Sequence, residues 1–304
     1  MAFSTLYNAI CRGKWFISFR EVDTNLLLVD RLLSHDAPLA MGGKLSDDEP
    51  IPVMLEQEGR LMKWGNTFSD APQGSTAIIP LHGTMLKYGT MCAYGTTEIA
   101  EIIREAAEAK NISSIVIDID SGGGSVDAIA PLVDAIHTAQ QKHKAVVASC
   151  SMCASAAYYV ATYCNEIVAD NSIDAEFGSI GVMMSFADYA KYYEKEGIKV
   201  HTIYSNLSDY KNKPFEEAKK ENYAAIRDEE LDPLARDFQE NVKQNRGARL
   251  LLDTEGLLRG RMFYHREAVR VGLADCIGTL QYAANRSREL SAQMYIDDYI
   301  HSKS

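Results

Sequence analysis

The sequence predicts an α/β protein built on a largely parallel sheet. Three observations carry this reading. From Thr76 to Tyr204, β-rich runs alternate with stretches of helical periodicity. The run from Ser114 to Asp120 is nearly all apolar, as expected of a strand buried on both faces. And 304 residues, 46% of them apolar and 24% charged, suffice to bury a sizeable core.

The elements follow in order. Leu26-Leu27-Leu28-Val29 with Leu32 and Leu33 predicts a short helix. Residues 42–50, Gly-Gly-Lys-Leu-Ser-Asp-Asp-Glu-Pro, read as a linker, and the breaker cluster at 69–75 marks a domain boundary. Strands are predicted at 76–81, 114–120, 145–149, 166–170, 179–185 and 200–204. Ile99, Ile102, Ile103, Ala106 and Ala107 fall on one face of a helix spanning 98–110. Further helices are expected at 126–140, at 154–163 and after 185 as far as Glu196. The last third is helical: Asp232-Pro233 reads as an N-cap followed by proline at the first position, and Gly247 as a stop.

Charge and composition exclude several classes of function. Against 42 acidic residues stand 31 Lys and Arg, a net charge of −11. Such a balance argues against a general nucleic-acid binder and against a rider on anionic lipid. No apolar run reaches the ~20 residues of a membrane span. Arg12, Lys14 and Arg20 interrupt what would have to be the apolar core of a secretory signal, so the expected location is the cytoplasm. The six cysteines lie among apolar residues and read as buried thiols rather than a disulfide framework.

Two segments could carry chemistry. Ser121-Gly122-Gly123-Gly124-Ser125 follows a buried strand, and its backbone N–H groups can face a phosphate or the oxyanion of a tetrahedral intermediate. It is neither a P-loop nor a dinucleotide fingerprint; the plain alternative is a tight strand-to-helix turn. The second segment, Cys150 to Tyr159, follows another buried strand and opens a helix rich in small residues. Ser155 there would sit at the positive end of the helix dipole, or else serve only as a helix-start residue. Cys150-x-x-Cys153 admits a redox reading, but Cys150 belongs to the strand and no further thioredoxin-like feature accompanies it.

A serine nucleophile needs a proton acceptor. The first histidine after Ser155 is His201; His82, His137 and His143 precede it, and no carboxylate partner stands out for any of them. A Ser-His-Asp triad is therefore not advertised. The loop Tyr210-Lys211-Asn212-Lys213-Pro214 offers lysines instead. A lysine acts as base only if enclosure lowers its pKa from about 10.4 to about 7–8, a cost of about 4 kcal/mol. The ordinary alternative for either lysine is a solvated surface charge.

Taken in order, five blocks between residues 76 and 280 resemble the S49 family of serine peptidases, the signal-peptide-peptidase A and protease IV group. They are Ile78-Ile79-Pro80-Leu81-His82-Gly83; Asp120-Ser121-Gly122-Gly123-Gly124; Ala154-Ser155-Ala156-Ala157-Tyr158-Tyr159; Gly178-Ser179-Ile180-Gly181-Val182; and, within 258–278, Gly260-Arg261, Ala268, Gly272-Leu273-Ala274-Asp275 and Gly278. Gly122 stands where the family usually has Pro, and Ala156-Ala157 near its usual Gly-Gly. The resemblance implies a ClpP/crotonase-like spiral α/β fold. Residues 1–74 would be an N-terminal extension with linker, 75–285 the peptidase domain with its helical C-terminal part, and 286–304 a tail.

It also implies a Ser–Lys dyad: Ser155 as nucleophile and Lys211 as base, with Lys213 the alternative. Backbone N–H groups of Gly123 and Ala156 would form the oxyanion hole, and Ser179 would orient the lysine. No metal or organic cofactor is implied. Peptide or protein substrates and a homo-oligomeric ring are expected. The lack of an anchor and the unmatched extension suggest the phage or prophage type, associated with capsid or scaffold proteins. Two rivals stay open: a crotonase-like acyl-CoA enzyme, and a non-catalytic assembly scaffold on the same fold.

Overall fold

The structure, a computed structural model, describes residues 15–17, 51–89, 94–185 and 190–302. The helix expected near Leu26–Leu33 and the linker at 42–50 lie outside them. In chain order the strands and helices are β1 (Trp15–Ile17), β2 (Val53–Gln57), β3 (Arg60–Trp64), β4 (Ser75–His82), α1 (Thr96–Glu108), β5 (Ile112–Ser121), β6 (Gly123–Ser125), α2 (Ile129–Gln141), β7 (Val146–Ala154) and α3 (Ala156–Ala161). Then come β8 (Glu166–Ala169), β9 (Glu176–Gly178), α4 (Ala190–Lys195), α5 (Lys213–Ala218), α6 (Asp232–Arg246), β10 (Met262–Tyr264), α7 (His265–Val271), β11 (Cys276–Ile277) and α8 (Leu280–His301).

The main sheet runs β10-β9-β7-β5-β4-β2-β3, with β8 and β11 branching from β7. β4, β5 and β7 are parallel neighbours, as the strand–helix alternation predicts. β7 divides its outer edge. Val147–Cys150 pairs with β8, while Met152–Ala154 pairs with β9, so the sheet forks just before Ser155. Strand alternation then sorts the core. Ile115, Ile117 and Ile119 of β5 face one layer, which holds α1, α2, α3 and Phe238 of α6. Val116, with Ile78, Val147 and Val168, faces α8 through Ala283 and Ala284.

Several expectations are corrected. The boundary expected after residue 74 falls inside one sheet: β2 pairs with both β3 and β4, so residues 53–64 extend the core. The tail expected from 286 is part of α8, whose Ser287 and Ser291 are buried; Ser291 Oγ accepts the Ala145 N–H. The predicted strand 179–185 is not one; the pairing of β9 with β7 ends at Gly178, one residue earlier. Residues 200–204 alternate correctly for a strand but, among the described residues, have no strand beside them, and Ile203 is 92% exposed. Asp232 is inside α6 rather than its cap, because a π-turn over Ile226–Leu231 leads straight into the helix. Gly247 does end it, with φ 55°.

Candidate active site

The site grows from the register of two neighbouring parallel strands. At their C-terminal ends, Ser121 of β5 stands opposite Cys153 of β7. Two residues further along each chain come Gly123 and Ser155. The glycine turn and the serine, far apart in sequence, are thus placed at one sheet edge by strand pairing alone, at the strand ends where α/β proteins build their sites.

β7 runs on to Ala154, so the helix begins after Ser155 rather than at 154. Ser155 is the corner between them, with φ 55° and ψ −119°. A non-glycine residue on that side of the map costs about 1–3 kcal/mol and is held only by its surroundings. Here its N–H donates to the Gly178 carbonyl at 2.8 Å and its carbonyl accepts the Tyr159 N–H at 2.9 Å. The side chain is fully buried, and its Oγ has no hydrogen-bond partner. Such a sharp strand-to-helix corner is how nucleophilic serines are presented in other α/β hydrolases. Ala156 is the first residue of α3, and first-turn N–H groups have no acceptor within their own helix.

On the β5 side, Ser121 organises the turn, a role the sequence did not reveal. It is buried, donates to the Gly83 carbonyl at 2.5 Å and accepts the Gly123 N–H at 3.2 Å. The amide expected in the oxyanion hole is therefore engaged with Ser121 Oγ in this structure. Gly124 lies against Met85 so closely that a Cβ there would come within 2.1 Å of the Met85 carbonyl oxygen; only glycine fits.

Lys211 makes no hydrogen bond to Ser155, whose Oγ has no partner. It lies in the exposed segment before α5, its N–H donating to the Ser208 carbonyl. Lys213 is also exposed, its Nζ 4.7 Å from the centre of the Tyr210 ring. Ser179 is half-buried with φ 53°, and its N–H donates to Arg261. The lysine that burial does depress, to about 8, is Lys144. Its Nζ caps α1 through the Ala106 and Ala109 carbonyls. It precedes β7, so a strand of about 25 Å separates it from the Ser155 corner, and it is no base for Ser155.

The remaining candidates resolve as structure. Cys150 and Cys153 are free and buried on β7, and burial pushes the Cys150 thiol up, so the pair is inert rather than redox-active. Two histidines do have carboxylate partners, contrary to expectation: His82 with Asp118 at 3.1 Å and His143 with Asp298 at 2.5 Å. Pro80 is opposite Asp118 in the register, which carries His82, two residues on, toward that carboxylate. Among the described residues no group of His, Cys, Asp and Glu could hold a metal ion. No described helix is long and apolar enough to cross a membrane.

The chain is 28% identical over 205 residues to the head-tail preconnector protein GP5 of Enterobacteria phage P21, covering 66% of this chain and 40% of that protein. It is 25% identical over 208 residues to the capsid assembly protease C of Escherichia phage lambda, covering 66% and 45%. The chain thus spans less than half the length of these two relatives. Among solved structures, the membrane-bound stomatin-specific protease 1510-N superposes with a TM-score of 0.45 and 15% identity, over 68% of this chain and 81% of that one. The model of peptidase family S49 matches residues 137–294, which include the Ser155 corner, β9, β10 and most of α8. That match covers just over half of the chain, and the chain belongs to peptidase family S49.

Proposed function

We propose that the chain is a serine endopeptidase in which Ser155 Oγ attacks a peptide carbonyl. The observation that carries this is the Ser155 corner itself: a buried hydroxyl with no partner, on a backbone at φ 55°, beside a glycine turn fixed by strand register. The developing oxyanion would be met by the N–H groups of Ala156 and of Gly123, the latter exchanging Ser121 Oγ for the stronger acceptor. One such donor is worth about 3–4 kcal/mol in other hydrolases. Lys211, or Lys213 two residues on, would take the Ser155 proton, deliver it to the leaving amine, and then activate the water that hydrolyses the acyl-enzyme. Every group in this scheme belongs to the chain.

A lysine needs enclosure to serve as a base, and Lys211 and Lys213 are exposed. The segment carrying Lys211 also exposes Ile198, Val200, Ile203, Leu207 and Tyr210, an apolar surface out of keeping with a chain that functions alone. Both facts support assembly: packing against a second copy would cover those side chains and enclose the amine. A homo-oligomer, with the site completed on assembly, is part of the proposal. The names of the phage relatives extend it to a substrate among phage head proteins.

The test combines variants with a chemical label. Ser155→Ala should abolish cleavage and fluorophosphonate labelling, and Lys211→Ala should abolish cleavage in a chain that still assembles. Normal cleavage by Lys211→Ala together with loss in Lys213→Ala would move the base to 213. Normal cleavage by both, or labelling of Ser155→Ala at the wild-type rate, would refute the dyad. Incubation with neighbouring head proteins, followed by mass spectrometry of new termini, identifies the substrate.

A further inference from the structure

β6 is a strand of three residues with two edges, and both are occupied. Met85 takes one: its N–H donates to the Gly123 carbonyl and its carbonyl accepts the Ser125 N–H, each at 2.9 Å. Backbone groups of successive residues in a strand point to opposite edges, so the Gly124 N–H and carbonyl face the other way. That second edge is covered by β1, antiparallel, with Trp15 opposite Ser125, Phe16 opposite Gly124 and Ile17 opposite Gly123. Among the described residues β1 pairs with no other strand. It belongs to a separate two-stranded sheet rather than to the main one.

Direction gives this pairing its meaning. β1 enters beside Ser125 and runs toward Gly123, toward the end of β5 where register places Ser155. It also lies alongside α3, the helix that begins at the residue after Ser155. An extended segment moving N- to C-terminally toward a nucleophile, held by backbone pairing beside the oxyanion turn, has the placement of the acyl side of a peptide substrate. Ser155 beneath is fully buried.

We propose that β1 is a built-in occupant of the peptide-docking edge. The chain's own residues 15–17 hold the strip of backbone at Gly123–Ser125 and close the cleft to other extended peptides until they leave. This rests on the reading of Ser155 as a peptidase nucleophile. Recognition is through backbone groups, so the competing ligand is an extended peptide of broad sequence.

The test uses the full-length chain and needs no catalysis. Phe16→Pro removes the N–H that faces the Gly124 carbonyl and fixes φ near −65°. A second variant with glycine at positions 15, 16 and 17 keeps every N–H but makes the strand costlier to order. Both are made in a Ser155→Ala background. A fluorescein-labelled peptide of residues 12–22 is then titrated and followed by anisotropy, and exchange of the Gly124 amide is measured by mass spectrometry. The expected result is at least tenfold tighter peptide binding to both variants than to Ser155→Ala alone, with Gly124 exchange at least tenfold faster before peptide is added. Equal binding to all three chains, or unchanged Gly124 exchange, overturns the proposal. With Ser155 intact, fluorophosphonate labelling should be several-fold faster in Phe16→Pro than in the wild type. If neither chain labels but the binding difference stands, the peptidase reading falls and the occupied edge remains.

Discussion

Arg246 and Asp275 form the ion pair on which the C-terminal half depends. Arg246, at the end of α6, is 4% exposed. Its Nη1 and Nη2 donate to the two Asp275 oxygens at 2.9 and 2.8 Å, and its Nε donates to the Gly272 carbonyl at 2.8 Å. Asp275 Oδ2 also accepts the Ile167 N–H at 2.8 Å, which ties β8 to the same point. Asp275→Ala would leave a buried guanidinium with no counter-charge and only the Gly272 carbonyl as acceptor, and an orphaned strand amide. Breaking a buried pair from one side costs about 3–5 kcal/mol. For a chain of this length the unfolding entropy is about 0.6 kcal/mol per kelvin, so the melting temperature should fall by about 5–8 °C. Replacing both partners by Leu should recover part of that loss, because no charge is then stranded. Urea unfolding of the two single variants and the double variant, analysed as a cycle, measures the coupling. A cost below about 1 kcal/mol for Asp275→Ala would refute the argument, since that is the value of an exposed pair.

Gly124→Ala should force the glycine turn away from Met85 and abolish Ser155 labelling while circular dichroism stays near native; labelling at the wild-type rate would show that the close approach is not needed. Burial lowers Lys144 from the ordinary 10.5 to about 8, so between those pH values only the unfolded chain holds its proton. Stability should therefore rise with pH across that window, by at most about 1.4 kcal/mol per pH unit, and the slope should vanish in Lys144→Met when urea midpoints are compared. His82 behaves in the opposite sense. The hydrogen bond to Asp118 raises its pKa above 6.5, outweighing partial burial. Its small contribution is present below pH 6.5 and lost as pH climbs through the raised value, and NMR titration of wild type and Asp118→Asn should show the value return toward 6.5.

Local pattern made much of this molecule legible. β4, β5, β8, α1 and α2 fall within about three residues of their expected ends, because each carries its own period or apolar run. The errors lie where partners decide. The strand expected at 145–149 runs on to Ala154, because β5 pairs with one edge of Cys150–Ala154 and β8 and then β9 with the other. Residues 200–204 have the alternation of a strand and, among the described residues, no strand to pair with. For the site, Ser155 and the glycine turn are visible as residue types after buried strands. What brings them together is the Ser121–Cys153 register, which no local window contains. The same holds for Ser121 as organiser of the turn, and for His82 and Asp118, joined across two strands. The proton acceptor is the least legible part, since a lysine's basicity depends on enclosure, and enclosure is a property of packing.

The acceptor for the Ser155 N–H is the carbonyl of Gly178, and Gly178 is itself pinned: Met262 pairs with it, and a Cβ there would meet the Arg261 carbonyl oxygen at 2.3 Å. A chain cut short after α6 would keep every parallel neighbour of β7, the glycine turn and the serine. It would nonetheless leave β9 as a bare border, free to peel, and the corner would relax toward an ordinary backbone shape. Trimming from that end would unmake the Ser155 corner without touching any residue near it in sequence, and a minimal fragment built for engineering must retain at least the stretch through 264.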